Sequence, residues 1–364
     1  MAAKGRKMNE RHRCRLVPAA AGVVLLALVT AGCGGSKFKW TDDEAAWSPD
    51  GKTIAFVSNR ARPDTDHFQL YEMKADGSSV RRLKRSSGAS YPSFSPNGRN
   101  IVYSSDPDLD LIGRDGRGQR TLTSLVDPTV PATWSPDGRW IAFVRRSDLW
   151  VIRLNGRRER RVAKEIDAIV YRPAASWSPN GLRLAFGCHG GDVCVVGVRG
   201  RPRRLTHESG GANTAAGFPS WSPDGTRIAF VRSTYGPFEG DEKDEACTIG
   251  SDGRDEHCWP AGDQAALAWL TGRPPLLAVS GAAGRIYLAR ADGSGRRFLR
   301  ASGPKSDPYL HDEFDSEPAA SPDGRRLLFG RYGPVPEGDV PQPEELVVVG
   351  LPRGHVEAAT QATK

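Results

Sequence analysis

Apolar residues in this 364-residue chain come in short runs of successive positions, each set off by turn residues. Thr53-Ile54-Ala55-Phe56-Val57, Trp140-Ile141-Ala142-Phe143-Val144 and Arg227-Ile228-Ala229-Phe230-Val231 are representative. A strand with one face in water alternates, so runs apolar at every position predict strands covered on both faces. A shorter segment that ends in a large ring precedes most of them: Trp47, Phe94, Trp134, Trp177, Trp221 and Trp269, with Ala320 in the last copy. Between segment and run the chain writes Ser-Pro-(Asp or Asn)-Gly six times, beginning at Ser48, Ser95, Ser135, Ser178, Ser222 and Ser321. Proline presets φ at the second position of a turn, Asp or Asn suits the third, and glycine completes it. Successive copies are 47, 40, 43, 44 and 99 residues apart, and a degraded copy at Trp269-Leu270-Thr271-Gly272 divides the last step.

Two further strands follow each apolar run. The third reads Leu149-Trp150-Val151-Ile152 or Val193-Cys194-Val195-Val196, and often ends in a hairpin signal such as Asp76-Gly77, Asp115-Gly116 or Asp292-Gly293. The fourth is polar, as in Arg81-Arg82-Leu83 and Arg203-Arg204-Leu205-Thr206. Four strands per repeat, apolar inside and polar outside, predict an all-β fold: a β-propeller of seven four-stranded blades, or six with an irregular closure. The ring at the end of each inner strand is expected to pack between neighbouring blades. The last strand is expected near residues 354–360, with 37–40 pairing locally to close the ring.

These residues resemble the TolB-type, WD-repeat-like propeller repeat, carried most clearly by Ser222-Pro223-Asp224-Gly225-Thr226-Arg227-Ile228-Ala229-Phe230. The resemblance covers residues 40–360 and implies a scaffold that serves many roles. TolB itself resembles an α/β domain followed by a propeller, and here Trp40 comes only seven positions after Cys33. Propeller-bearing prolyl peptidases carry an α/β-hydrolase domain, whose Gly-x-Ser-x-Gly elbow this sequence lacks.

Residues 1–32 read as a secretory signal: Lys4, Arg6, Lys7, Arg11, Arg13 and Arg15, an apolar stretch from about Leu16 to Val29, and small residues before Cys33. Ala31-Gly32-Cys33 resembles a bacterial lipobox, which implies Cys33 as a lipidated first residue. Residues 33–39 then act as a flexible linker. The expected location is outside the cytoplasm, anchored by lipid to the bacterial membrane and facing periplasm or exterior. The formal charge of the whole chain is +8. Residues 1–32 hold six of the 51 Lys and Arg and one of the 43 Asp and Glu, so the remainder carries only +3. That weakly basic remainder argues against nucleic-acid binding. Cys188 and Cys194 flank one hairpin tip and Cys247 and Cys258 another, so two local disulfides are expected in an oxidising compartment.

Sorting charges by rim predicts acidic loops opposite the turns. Loops 58–68, 232–246 and 331–344 give a candidate binding rim of Asp64, Asp66, His67, Tyr235, Phe238, Asp241, Glu242, Asp244, His311, Asp312, Phe314 and Asp315. The expected function is a monomeric, non-enzymatic scaffold, presenting this rim to a protein or peptide partner in the cell envelope, with no catalytic residue and no cofactor. Asp64-Thr65-Asp66 and Asp106-Pro107-Asp108-Leu109-Asp110 raise calcium, though neither completes a calcium loop. The alternative is a propeller enzyme of the sugar or lactone hydrolase kind, with a metal in the central channel. The positions expected to face that channel, Ala45, Ser90, Pro131, Ala174, Gly217, Ala266 and Pro318, are poor in ligands.

Overall fold

Each blade is an antiparallel sheet whose inner strand ends at or next to the ring position, and six of the seven are sequential in the chain. Blade one runs Asp42–Trp47, Thr53–Ser58, Gln69–Lys74 and Arg81–Arg82. Six further sheets of four strands complete a seven-bladed β-propeller. The computed structural model of the chain describes Leu25–Ala27 and residues 42–62, 65, 67–83, 88–128, 130–166, 175–188, 190–207, 214–236, 243–262, 265–281, 285–299, 314–332 and 343–351. Blade seven consists of Phe314–Ala320, Arg326–Tyr332 and Pro343–Gly350, with Leu25–Ala27 as its outer strand. Leu25 pairs with Val349 and Ala27 with Val347. A piece of the expected signal region therefore occupies the fourth position of that blade. Residues 354–360 and 37–40, expected to complete and close it, lie outside the described residues.

The core follows from strands covered on both faces. It divides into seven apolar clusters, one at each blade interface. Closure is made by Ile54, Phe56, Tyr71 and Met73 of blade one against Leu328, Leu346 and Val348 of blade seven.

The ring position adds a polar bond to this packing. Trp134 Nε1 donates to the Ser93 carbonyl of the preceding blade at 3.1 Å, Trp177 Nε1 to Thr133 at 3.2 Å, and Trp269 Nε1 to Ser220 at 3.0 Å. Trp47 Nε1 closes the circle on the Ala319 carbonyl of blade seven at 3.1 Å. Phe94 and Ala320 have no donor to offer. Trp221 Nε1 is buried with no partner among the described residues, and this blade is tied instead by its backbone N–H to Ser176 Oγ at 3.2 Å.

The six turns share one geometry. In the first, Gly51 N–H donates to the Ser48 carbonyl at 2.8 Å, Ser48 Oγ donates to Asp50 Oδ1 at 2.6 Å, and Thr53 N–H donates to Ser48 Oγ at 3.0 Å. The serine is buried in every copy. Gly98, at φ +67°, shows why the fourth residue is glycine: the conformation is left-handed and its α-carbon faces Pro49 of the neighbouring turn. Where Asn replaces Asp, Ser95 Oγ still bonds Asn97 Oδ1 at 2.8 Å.

Both expected disulfides form. Cys188–Cys194 joins the second and third strands of blade four, and Cys247–Cys258 joins residues directly opposite each other in blade five. They belong to an oxidising, extracytoplasmic compartment.

Two outcomes follow. Trp134→Phe leaves a buried carbonyl without its donor and should cost about 1 kcal/mol in denaturant unfolding. Trp221→Phe, which loses no hydrogen bond, should cost clearly less. Equal losses would show that the indole bond contributes nothing. The turn aspartates set an acid limit. The Ser48 hydroxyl, with the Lys52 N–H and Arg114, holds Asp50 below the usual carboxylate range. Burial works against the charged form of Asp137, Asp224 and Asp323, but serine, backbone N–H and neighbouring side-chain contacts outweigh it and their pKa values are also lowered. Their stabilisation is complete above the unfolded carboxylate pKa and is lost as pH falls through the lower folded values. The melting temperature should fall on acidification from about pH 5 to about pH 2. A variant with Asn at all four positions should show a shallower fall; an unchanged slope would place the acid sensitivity elsewhere.

Candidate functional site

The inner strands carry a bulge that shifts which residues reach the channel. Register slips between Asp43 and Ala46, Ser90 and Ser93, and Gly217 and Ser220. At the slip, Glu44, Tyr91 and Phe218 adopt φ of +50°, +51° and +57°. A non-glycine residue there is strained, and such strain concentrates at functional sites. All three line a central cavity of about 650 Å³, together with Ser93, Thr133, Ser176 and Ser220. That volume suits a small-molecule ligand. Glu44 is the carboxylate of this wall among the described residues, and it accepts the Tyr91 N–H at 2.5 Å.

Of the positions expected at the channel, Ala45, Pro131, Ala266 and Pro318 line the cavity, while Glu44, Tyr91 and Phe218 were not among those expected. The signal was the proline after Tyr91 and Phe218, since proline inside a strand marks a bulge. Glu317-Pro318 repeats it in blade seven, where register slips between Ser316 and Ala319.

Most of the expected acidic rim, namely Asp64, Asp66, Phe238, Asp241, Glu242, His311 and Asp312, lies outside the described residues. His67 and Tyr235 are exposed, on different blades. Phe314 and Asp315 begin the inner strand of blade seven. Asp244 is a correction: it is 5% exposed, because the strands of blade five extend through Thr234 and resume at Lys243. Its carboxylate accepts Ser233 Oγ at 2.5 Å and the Ala265 N–H at 2.7 Å, fastening the passage into blade six. Asp110 of the calcium expectation is likewise spent internally, accepting from Thr121 Oγ1 at 2.8 Å, Gln119 Nε2 at 2.9 Å and Tyr103 Oη at 3.3 Å.

Known proteins give the following likenesses. Residues 111–188 match the family described as the dipeptidyl peptidase IV N-terminal region. A Bacillus subtilis (strain 168) protein described as uncharacterized peptidase YuxL is 39% identical over 74 residues, which span 19% of this chain and only 11% of that relative. Among solved structures, an oligogalacturonate lyase in complex with manganese superposes with a TM-score of 0.60 at 14% identity, covering 87% of this chain and 91% of that one. The oligogalacturonate lyase of Vibrio parahaemolyticus gives 0.62 at 13%, over 90% and 93%. TolB from Acinetobacter baumannii aligns with a TM-score of 0.47 at 17% identity, over 74% of this chain and 65% of that one.

At these identities the structural likeness is one of fold. It nevertheless corrects two expectations. The non-enzymatic reading assumed that a propeller without a hydrolase domain is a passive scaffold, yet almost the whole of a lyase is this fold. The expectation of no cofactor fails in the same way, since that lyase is in complex with manganese. The described residues do not complete such a site here. Manganese favours several oxygen donors in octahedral array, and the described channel wall offers one carboxylate and no histidine. Glu245, Cys247 and Cys258 bring three ligand atoms within 4.8 Å, but both sulfurs are spent in the disulfide.

Proposed function

We propose that the chain is an extracytoplasmic propeller enzyme that processes a saccharide or lactone in its central channel. The observation that carries this reading is the trio Glu44, Tyr91 and Phe218, held at positive φ on the wall of the cavity. An aromatic face takes the apolar face of a sugar ring. A carboxylate beside it can accept or return a proton. The Tyr91 N–H fixes where the Glu44 carboxylate sits, and the surrounding serine and threonine residues offer hydroxyls to orient a polyol. The two lyases of this fold support an enzyme over a passive scaffold.

The test uses the full chain against oligogalacturonides, neutral oligosaccharides and lactones, with and without added manganese, alongside elemental analysis of the purified protein. Glu44→Gln should lower kcat by about a hundredfold or more with KM little changed. Full activity in that variant, or no turnover of any of these substrates, removes the reading.

The anchoring of the protein is part of the same proposal: Cys33 carries lipid and holds the propeller at the membrane surface. The cleavage before Cys33 takes Leu25–Ala27 out of blade seven, which keeps its three strands Phe314–Ala320, Arg326–Tyr332 and Pro343–Gly350. Supporting it are the basic region, the apolar stretch and Ala31-Gly32-Cys33. Cys33→Ser should move the protein from the membrane to the soluble fraction of the envelope; a variant that stays membrane-bound argues against lipid on Cys33.

A further inference from the structure

The rim formed by the turns carries a ring of cations. Lys52, Arg99, Arg139, Arg273 and Arg325 each follow a turn glycine and each is exposed. The turn fixes their backbone: Lys52 N–H donates to Asp50 Oδ1 at 3.0 Å, and its carbonyl accepts the Ala75 N–H at 2.8 Å. Arg99, Arg139 and Arg325 repeat both kinds of contact. The aspartates of this rim each accept a serine hydroxyl at one oxygen; the second oxygen of Asp137 lies 3.8 Å from Arg139 Nε and that of Asp50 3.7 Å from Arg114.

The ring deepens at one place. At the interface of blades one and two, Arg114 fills the groove, with Nε on Glu72 Oε1 at 2.7 Å and a terminal nitrogen on Thr53 Oγ1 at 2.7 Å. In blade one the corresponding residue before the hairpin is Ala75. Between blades seven and one a hollow of about 460 Å³ is left, whose charged lining is Lys52, Lys74 and Arg326 with Asp50 and Asp76. Both carboxylates are hydrogen-bonded within their own turns, Asp50 to the Ser48 hydroxyl and Lys52 N–H and Asp76 to the Ser78 N–H. Arg326 is committed, bonding the Gly51 carbonyl at 2.5 Å with its guanidinium over the Trp47 ring. Lys52 and Lys74 are exposed, and no carboxylate among the described residues comes within ion-pair distance of either ammonium.

We propose that this rim docks an acidic polysaccharide, with one charged sugar unit seated between Lys52 and Lys74. Cations at five of the seven turns, with Leu182 and Thr226 at the other two, match a polymer whose charge repeats along its length. A hollow of this size takes a sugar ring and leaves its carboxylate between two ammonium groups. A bilayer fits less well, because the inner strand of blade one runs from Asp42 towards the turn at Ser48. The segment that leads to Cys33 therefore attaches at the opposite rim.

The test is cosedimentation of the full chain with polygalacturonate, with dextran as the neutral control and phosphatidylglycerol vesicles as the phosphate-bearing control. Binding to polygalacturonate should weaken with salt, and Lys52→Glu with Lys74→Glu should weaken it by about tenfold or more at unchanged melting temperature. Glu44→Gln should leave it intact, which separates this surface from the channel. Absent binding, binding that the double variant retains, or equal binding to the vesicles overturns the proposal.

Discussion

A blade of this protein cannot stand alone, because its middle strands are apolar on both faces and water must be kept from each. The interface between blades is therefore the interaction on which everything else depends. Apolar clusters cover the faces, and an indole N–H crosses to the preceding blade at four interfaces to satisfy a carbonyl that the inner strand cannot pair. Burial supplies most of the free energy, while the indole bond fixes the angle at which one blade meets the next. The turns stack on the same principle, five of the six glycines leaving room for the proline of a neighbouring turn and Gly324 for Thr271.

That scaffold was legible because its determinants are local and repeated. The Ser-Pro-Asp-Gly turn fixes where two strands meet, and a run such as Ile228-Ala229-Phe230-Val231 declares that both its faces are covered. The local pairing of the cysteines could be read for the same reason. Features that depend on a slip of register were not legible. Glu44-Ala45-Ala46 reads as plain strand, and nothing in those three residues announces the bulge that directs Glu44 to the channel. Asp244 sits in a stretch crowded with acidic residues and reads as loop. Only the length of the blade five strands buries it and gives it two hydrogen bonds. The outer strand of blade seven was hidden more thoroughly, since Leu25–Ala27 reads as part of a signal.

The two rims and the channel divide the labour between sequence and backbone. Regular repetition places an exposed cation after five of the seven turns on one rim, while departures from regularity populate the channel wall with strained residues. Recurrence builds the frame, and function is sought where recurrence fails: at a bulge, or at Ala75 in place of a larger side chain.

Ring closure also sets an order of events. The bond from Trp47 to Ala319 joins residues 272 apart, and that from Arg326 to Gly51 joins residues 275 apart. The disulfides join residues only 6 and 11 apart. Hairpins and their cross-links can therefore form as each blade leaves an export channel, long before the circle exists. The central cavity comes into being last, when blade seven meets blade one, so its wall is incomplete until nearly the whole chain has folded.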